Sequence, residues 1–309
     1  MISLKQLDYA LAVEQTLHFR KAADLCSVSQ SALSTGINEL EKQLGVQIFE
    51  RDNKKVLVTP MGAQLLATAR TIKIQVDDLY KLAQAQKTPL GYPMSLGVIP
   101  TIGPYLLPKV LPAVREQYPD FQLRILEDQS QVLVDKVRNG ELDTAILALP
   151  FDIEGLLAFE FWDEDFYWVT HRRDTREKQT EITSEELRHS RLMLLKDGHC
   201  LKDHALAACH MQSSETDNSF ASTSLTTLVQ MVAGQMGTTL VPEMALDQLV
   251  HGSSELKAVH LDEPGPHRRI AFIIRPNYAG VHSVQLLMKL FRRQLKSGNE
   301  QLPGICQTS

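Results

Sequence analysis

Cysteine is scarce in this chain: four residues in 309, Cys26, Cys200, Cys209 and Cys306. That is too few for a disulfide-stapled scaffold, and none are paired at the short C-x₂₋₄-C spacing of structural zinc sites. Aromatic residues make up only 6%, so an aliphatic core is expected. Long apolar runs are missing, and none approaches the ~20 residues of a membrane span. The first fifteen residues, MISLKQLDYALAVEQ, are amphipathic and carry Asp8 and Glu14. They lack the apolar segment and cleavage site of a secretory leader, so the expected compartment is the cytosol, with no membrane partner. Neither sign of charge dominates, with 32 Lys and Arg against 37 Asp and Glu and a net charge of −5. Residues 1–87 hold eleven basic against nine acidic side chains, too even a balance to announce a nucleic-acid partner. Any DNA reading must come from pattern.

What is present is ordinary globular composition, 43% hydrophobic and 22% charged. This excludes disordered and collagenous classes, and the length suits about two domains. Leu4, Leu7 and Leu11 mark one helix, and Phe19 to Cys26 a second, with Cys26 on its buried side. After Ser29, a good N-cap, Leu33, Ile37, Leu40 and Leu44 step by four, three and four, which predicts a third helix ending at Gly45. Its opposite face carries Gln30, Ser31, Ser34, Thr35 and Asn38. Short neutral donors and acceptors of this kind reach base edges without desolvating a full charge. Two short helices followed by a polar-faced one form the helix-turn-helix pattern. Ile48–Arg51 and Val56–Val58 then read as the strands of a wing. Arg51, Lys54 and Lys55 there, with Arg20 and Lys21 on the second helix, are candidate phosphate contacts. A small helical subdomain with a solvated face is the alternative.

Thr59-Pro60 opens a long helix running to about Lys87. Leu65, Ala69, Ile72, Val76, Leu79 and Ala83 repeat at heptad spacing. So long a helix needs a partner, either a second copy of the chain or its own C-terminal domain. Thr88 to Pro93 breaks it, which sets expected domains at 1–59, 60–88 and 89–309. Beyond, strand and helix patterns alternate: strands at 94–99, 121–126, 143–149, 166–170, 191–195, 238–241 and 269–274, helices at 104–118, 131–139, 224–234, 243–250 and 281–297. The alternation predicts two α/β lobes with a largely parallel sheet and a cleft between them. Thr101, Ser130, Thr223 and Ser224 sit where a cleft ligand or an ordinary helix cap would use them.

The most distinctive segment is Lys196-Asp197-Gly198-His199-Cys200-Leu201-Lys202-Asp203-His204, followed five residues later by Cys209. Lys196, His199, Lys202 and His204 flank Cys200, and nearby positive charge favours the thiolate. Residues 201–209 look helical, which would hold the two Cα atoms roughly 13 Å apart. A disulfide needs about 4.4–6.8 Å, so joining them requires the helix to unwind, as in a redox switch. Two structural thiols, or a zinc site that includes His199, His204 and His210, are the alternatives.

FRKAADLCSVSQSALSTGINELEKQLGVQIFER at 19–51 and VLVTPMG at 56–62 resemble the LysR-type transcriptional regulators. IPTIGPYLLP at 99–108, LMLLKDGHCLKDHALAAC at 192–209 and TSLTTLVQMVAGQMGTTLVP at 223–242 are similar to the peroxide-sensing branch of that family. The resemblance implies an α+β multidomain fold: a winged helix-turn-helix, a linker helix and a two-lobed regulatory domain like that of periplasmic binding proteins. It implies a peroxidatic Cys200 and a resolving Cys209, with Thr101, Ser130, His199, Asp203 and Arg268 shaping a hydrogen peroxide pocket and Arg269 an alternative to Arg268. It implies double-stranded DNA with palindromic half-sites, RNA polymerase, and a homodimer assembling to a homotetramer. Reduction would come from glutaredoxin or thioredoxin, with no cofactor, no metal and no enzymatic turnover. A metabolite-responsive regulator of the same family and a thiol peroxidase are the competing functions. Ser130 and Lys202 depart from the usual pattern around the thiol, and Ser31, Gly36 and Asn38 from that of the recognition helix, so a different operator preference or weaker DNA binding is expected.

Overall fold

The computed structural model describes residues 1–52, 55–85, 89–174, 180–212 and 224–299. The chain divides into two compact units, Met1–Gln84 and Ala85–Ser309.

In the first unit, α1 (Leu4–Thr16) starts with a capping box between Ser3 and Gln6. α2 (Phe19–Leu25) follows, then α3 (Gln30–Leu44), where Ser29 Oγ accepts from Ala32 N and Gly45 ends the helix at φ 70°. The expected stripe of α3 is its buried face: Leu33, Ile37 and Leu40 pack with Tyr9, Val13, Ala22 and Ala23. β1 (Phe49–Asp52) and β2 (Lys55–Val58) form the antiparallel wing, with Phe49 opposite Val58. Glu41 sets where the wing begins, its Oε1 accepting from Ile48 N at 2.7 Å and Phe49 N at 3.0 Å. Thr59 Oγ1 accepts from Gly62 N and opens α4 (Pro60–Ala85). Leu66 and Ala69 of α4 are buried, and Arg70–Glu14 and Lys73–Asp8 ion pairs tie α4 to α1. Further along α4, Ile72, Leu79 and Tyr80 are exposed.

The second unit holds two sheets. Its first lobe is a five-stranded sheet, in spatial order β4 (Leu123–Glu127), β3 (Met94–Val98), β5 (Thr144–Leu149), β11 (Arg268–Ile274) and β6 (Leu157–Glu164). Helices α5 (Gly103–Gln117), α6 (Ser130–Arg138) and α11 (Val281–Asn299) accompany it. The second lobe is a four-stranded sheet: β8 (Glu181–Ile182), β10 (Leu256–Leu261), β7 (Phe166–His171) and β9 (Thr239–Pro242). Its helices are α7 (Ser184–Arg188), α8 (Cys200–Ala208), α9 (Leu225–Ala233) and α10 (Glu243–Leu249).

The two-lobed expectation holds, but the sheets are mixed rather than largely parallel. β3 runs parallel to β4 and β5, whereas β11 is antiparallel to β5 and β6, and β7 is antiparallel to β9 and β10. The strands missing from the sequence reading explain the difference. β6 and β10 have partly solvated faces, so neither shows the continuous apolar run of a strand covered on both sides. The strand expected at 191–195 reduces to one isolated bridge, Leu192 to Thr238. The chain passes between sheets at Asp165, between β6 and β7, and again between β10 and β11.

Candidate functional site

The candidate DNA face lies in the first unit. Gln30, Ser31, Thr35 and Asn38 are exposed on α3, Ser34 is half-buried, and Arg20 is exposed on α2. The Ser31 hydroxyl lies 3.0 Å from that of Ser29. Lys54 and the Arg51 side chain lie outside the described residues. Gly36 is not a vacant reading position. A Cβ there would stand 2.8 Å from the Tyr9 ring, so glycine is what lets α3 approach α1.

The second unit gathers the thiols. Cys200 opens α8 and Cys209 caps its far end, so the helical rise keeps their Cα atoms about 13 Å apart. Both are buried and unpaired. Three first-lobe elements surround Cys200. Ser130, at the start of α6, hydrogen-bonds the thiol, the Ala148 backbone of β5 makes a second bond, and Arg268 supplies nearby positive charge. Burial pushes the Cys200 thiol above its ordinary range, and these three contacts pull it back. Cys209 is pushed up to about 12 by burial and by Glu263.

The flanking cations do not act as the sequence suggests. Lys202 is paired with Asp197 at 2.8 Å. Burial lowers the pKa of His199 and of His204, so both favour the neutral ring. The cation that stabilises the thiolate is Arg268, 68 positions along the chain. Arg269 is exposed and pairs with Glu160, which removes it as the alternative.

Arg268 is fixed from two sides. Its Nε donates to Glu164 Oε2 at 2.7 Å, and its terminal nitrogens donate to Thr101 Oγ1 and to the Thr101 carbonyl, each at 3.3 Å. Both members of the ion pair have fully buried side chains. Thr101 and His199 line a cavity of about 360 Å³ with Tyr105, Gln129, Lys196 and Ser224. His199 Nε2 is buried with no hydrogen-bond partner among the described residues. Asp203 is exposed, outside the cavity lining, and its charge opposes ionisation of the thiol. Among the described residues no group of three or more His, Cys, Asp or Glu is placed to hold a metal ion. Thr223 and Cys306 lie outside the described residues.

Sequence reasoning missed Glu164, Ala148 and Pro150, whose carbonyl oxygen lies 2.8 Å from His204 Nε2. Each sits at a strand end, with no local pattern to flag it, and meets the site only through tertiary pairing.

Residues 4–63 match the family described as bacterial regulatory helix-turn-helix protein, lysR family, and residues 90–296 match LysR substrate binding domain. The chain is 38% identical over 291 residues to the HTH-type transcriptional regulator EstR of Acinetobacter baylyi, covering 94% of this chain and 96% of that one. It is 35% identical over 277 residues to the hydrogen peroxide-inducible genes activator of Dickeya chrysanthemi, covering 89% and 90%. Among solved structures, it is similar to a hydrogen peroxide-bound cysteine-to-serine mutant of Corynebacterium glutamicum OxyR. That match has a TM-score of 0.68 at 30% identity and covers 100% of this chain and 99% of that one.

Proposed function

Because the chain belongs to the LysR family of bacterial helix-turn-helix regulators, we propose that it is a transcriptional activator of oxidative-stress genes. On this reading it senses hydrogen peroxide through a reversible Cys200–Cys209 disulfide. The observation that carries the reading is the placement of Cys200. Its thiol is sequestered by burial, bonded to Ser130 and the Ala148 backbone, and faced by the fixed charge of Arg268. That is a site for a small oxidant and a transient thiolate. Thr101 and His199 line a cavity on the same side of the molecule as these contacts, and Cys209 caps the far end of the nine-residue helix that Cys200 opens.

Oxidation of Cys200 followed by bonding to Cys209 rebuilds α8, and that rearrangement is the signal. The chain then binds palindromic half-sites in double-stranded DNA through Gln30, Ser31, Ser34, Thr35 and Asn38, with Arg20, Arg51 and Lys54 on phosphates. α4 makes the homodimer, dimers assemble to a tetramer, and the bound form contacts RNA polymerase. Glutaredoxin or thioredoxin returns it to the dithiol. The cavity beside His199 supports a second reading, a regulator that binds a metabolite between the lobes, with the thiols incidental.

The test is thiol mapping by mass spectrometry after a brief micromolar pulse of hydrogen peroxide, with Cys200→Ser alongside. A linked Cys200–Cys209 peptide within seconds, absent from the variant, is the expected result. Two free thiols after the pulse would leave the metabolite reading.

A further inference from the structure

The site holds one polar contact that the peroxide chemistry does not use. His204 lies on α8 one turn beyond Cys200 and is buried, with 3% of its surface exposed. Its Nε2 sits 2.8 Å from the carbonyl oxygen of Pro150, just past the end of β5. A carbonyl only accepts, so Nε2 carries the proton and donates. Nδ1 is then the bare nitrogen, buried with no partner among the described residues. By chain order α8 belongs to the second lobe, whereas Pro150 follows the first-lobe strand that also supplies Ala148 to the thiol. Cys200 and His204 are four residues apart and share one face of the helix. α8 is therefore fastened to the end of β5 at two successive turns.

We infer that His204 is a positioning residue, a latch that holds α8 in its reduced conformation and sets the rate at which the disulfide closes. The inference rests on the redox reading above. In the first step the Cys200 thiolate attacks one peroxide oxygen and the O–O bond breaks. Sulfur is oxidised to the sulfenic acid, and the departing hydroxide takes a proton and leaves as water. That step needs the pocket around the thiol and makes no use of the latch. In the second step the Cys209 thiol gives up its proton, its sulfur attacks the sulfenic sulfur, and the S–OH bond breaks. The released hydroxide leaves as a second water, so one peroxide takes two electrons from two thiols. About 13 Å of helix separates the two Cα atoms, and a disulfide tolerates about 4.4–6.8 Å. α8 must unwind first, and the His204–Pro150 hydrogen bond lies in the stretch that unwinds. Removing its donor should speed the second step and leave the first alone.

The test separates those steps in the full-length, reduced protein. It is mixed rapidly with hydrogen peroxide, quenched with an alkylating agent, and analysed for sulfenic Cys200 and for the linked peptide against time. His204→Leu is expected to close about fivefold faster, the scale of one net hydrogen bond, with unchanged sulfenic acid formation. His204→Gln, whose amide can still donate to the Pro150 carbonyl, is expected to restore the slower closure. A purely structural role would not produce that split and rescue. Should His204→Leu fail to fold, His204→Asn carries the same test, because its shorter amide falls short of the carbonyl. Equal closure rates in the unmutated protein and the donor-less variant would overturn the latch alone, as would His204→Gln closing as fast as that variant. No linked peptide in the unmutated protein would overturn both the latch and the redox reading.

Discussion

The Cys200 thiol is balanced between two effects that protonate it, burial and the Asp203 charge, and three that ionise it, and the balance can be moved one group at a time. Burial raises its pKa, while the Ser130 hydroxyl is the largest of the groups that lower it. Ser130→Ala keeps nearly the same volume and deletes that bond, so the thiol titrates at higher pH. At neutral pH the thiolate fraction then falls. The rate of oxidation by peroxide is expected to drop roughly tenfold, the worth of a hydrogen bond to a charged group. The sign is specific: the whole rate–pH curve moves to higher pH and rejoins the unmutated curve in alkali. A uniform slowing at every pH would mean that Ser130 acts by shape instead. Gly198 makes a second prediction at this scale. It holds φ +93° two residues before Cys200, and an added Cβ would lie 2.9 Å from the Gln129 amide. Gly198→Ala meets backbone strain and a clash in one turn, and about 1–3 kcal/mol of lost stability is expected in urea unfolding.

Among the elements, α3 and α4 were legible because each buries one stripe, and a stripe at steps of three and four appears in the sequence itself. β6 and β10 were not, because their partly solvated faces leave neither a continuous apolar run nor a clean alternation in the sequence. The site was legible only in part for a related reason. The local cluster around Cys200 was visible, but Glu164 lies 104 positions from Arg268 and no periodicity links them. Exposure along α4 carries a prediction of its own. Its start is pinned by Leu66, Ala69 and two ion pairs, yet Ile72 is 38% exposed, Leu79 64% and Tyr80 70%. An apolar stripe left open beside a buried one suits a second copy of the helix. Leu79→Asp places a charge on that stripe in both copies of a twofold dimer, and each lost Leu contact is worth about 1.5–3 kcal/mol. Dimer dissociation measured by sedimentation equilibrium is expected to strengthen at least a hundredfold. An unchanged mass at low micromolar concentration would assign the stripe to another contact.

At the scale of the whole regulatory unit, the two passages between lobes meet at one buried ion pair. Glu164 ends β6 just before the chain enters the second sheet, and Arg268 begins β11 just after it returns. The two residues are register partners across β6 and β11. Glu164 Oε1 also accepts from Met244 N in the first turn of second-lobe helix α10, while Arg268 reaches Thr101 beyond β3. One pair thus ties both passages, the second lobe and the wall of the thiol site. Deleting one partner leaves a buried charge uncompensated, which costs far more than the pair contributes. Glu164→Ala is expected to destabilise the protein by about 3–5 kcal/mol, a large share of a domain's total stability. Replacing both at once, Glu164→Leu with Arg268→Met, removes the charge along with its partner and should cost less than Glu164→Ala alone. Urea unfolding of Glu164→Leu, Arg268→Met and the double variant, beside Glu164→Ala, decides it. If the double variant loses the sum of the single effects, the pair is not the coupling element, and the lobes must be held by the apolar contacts around it.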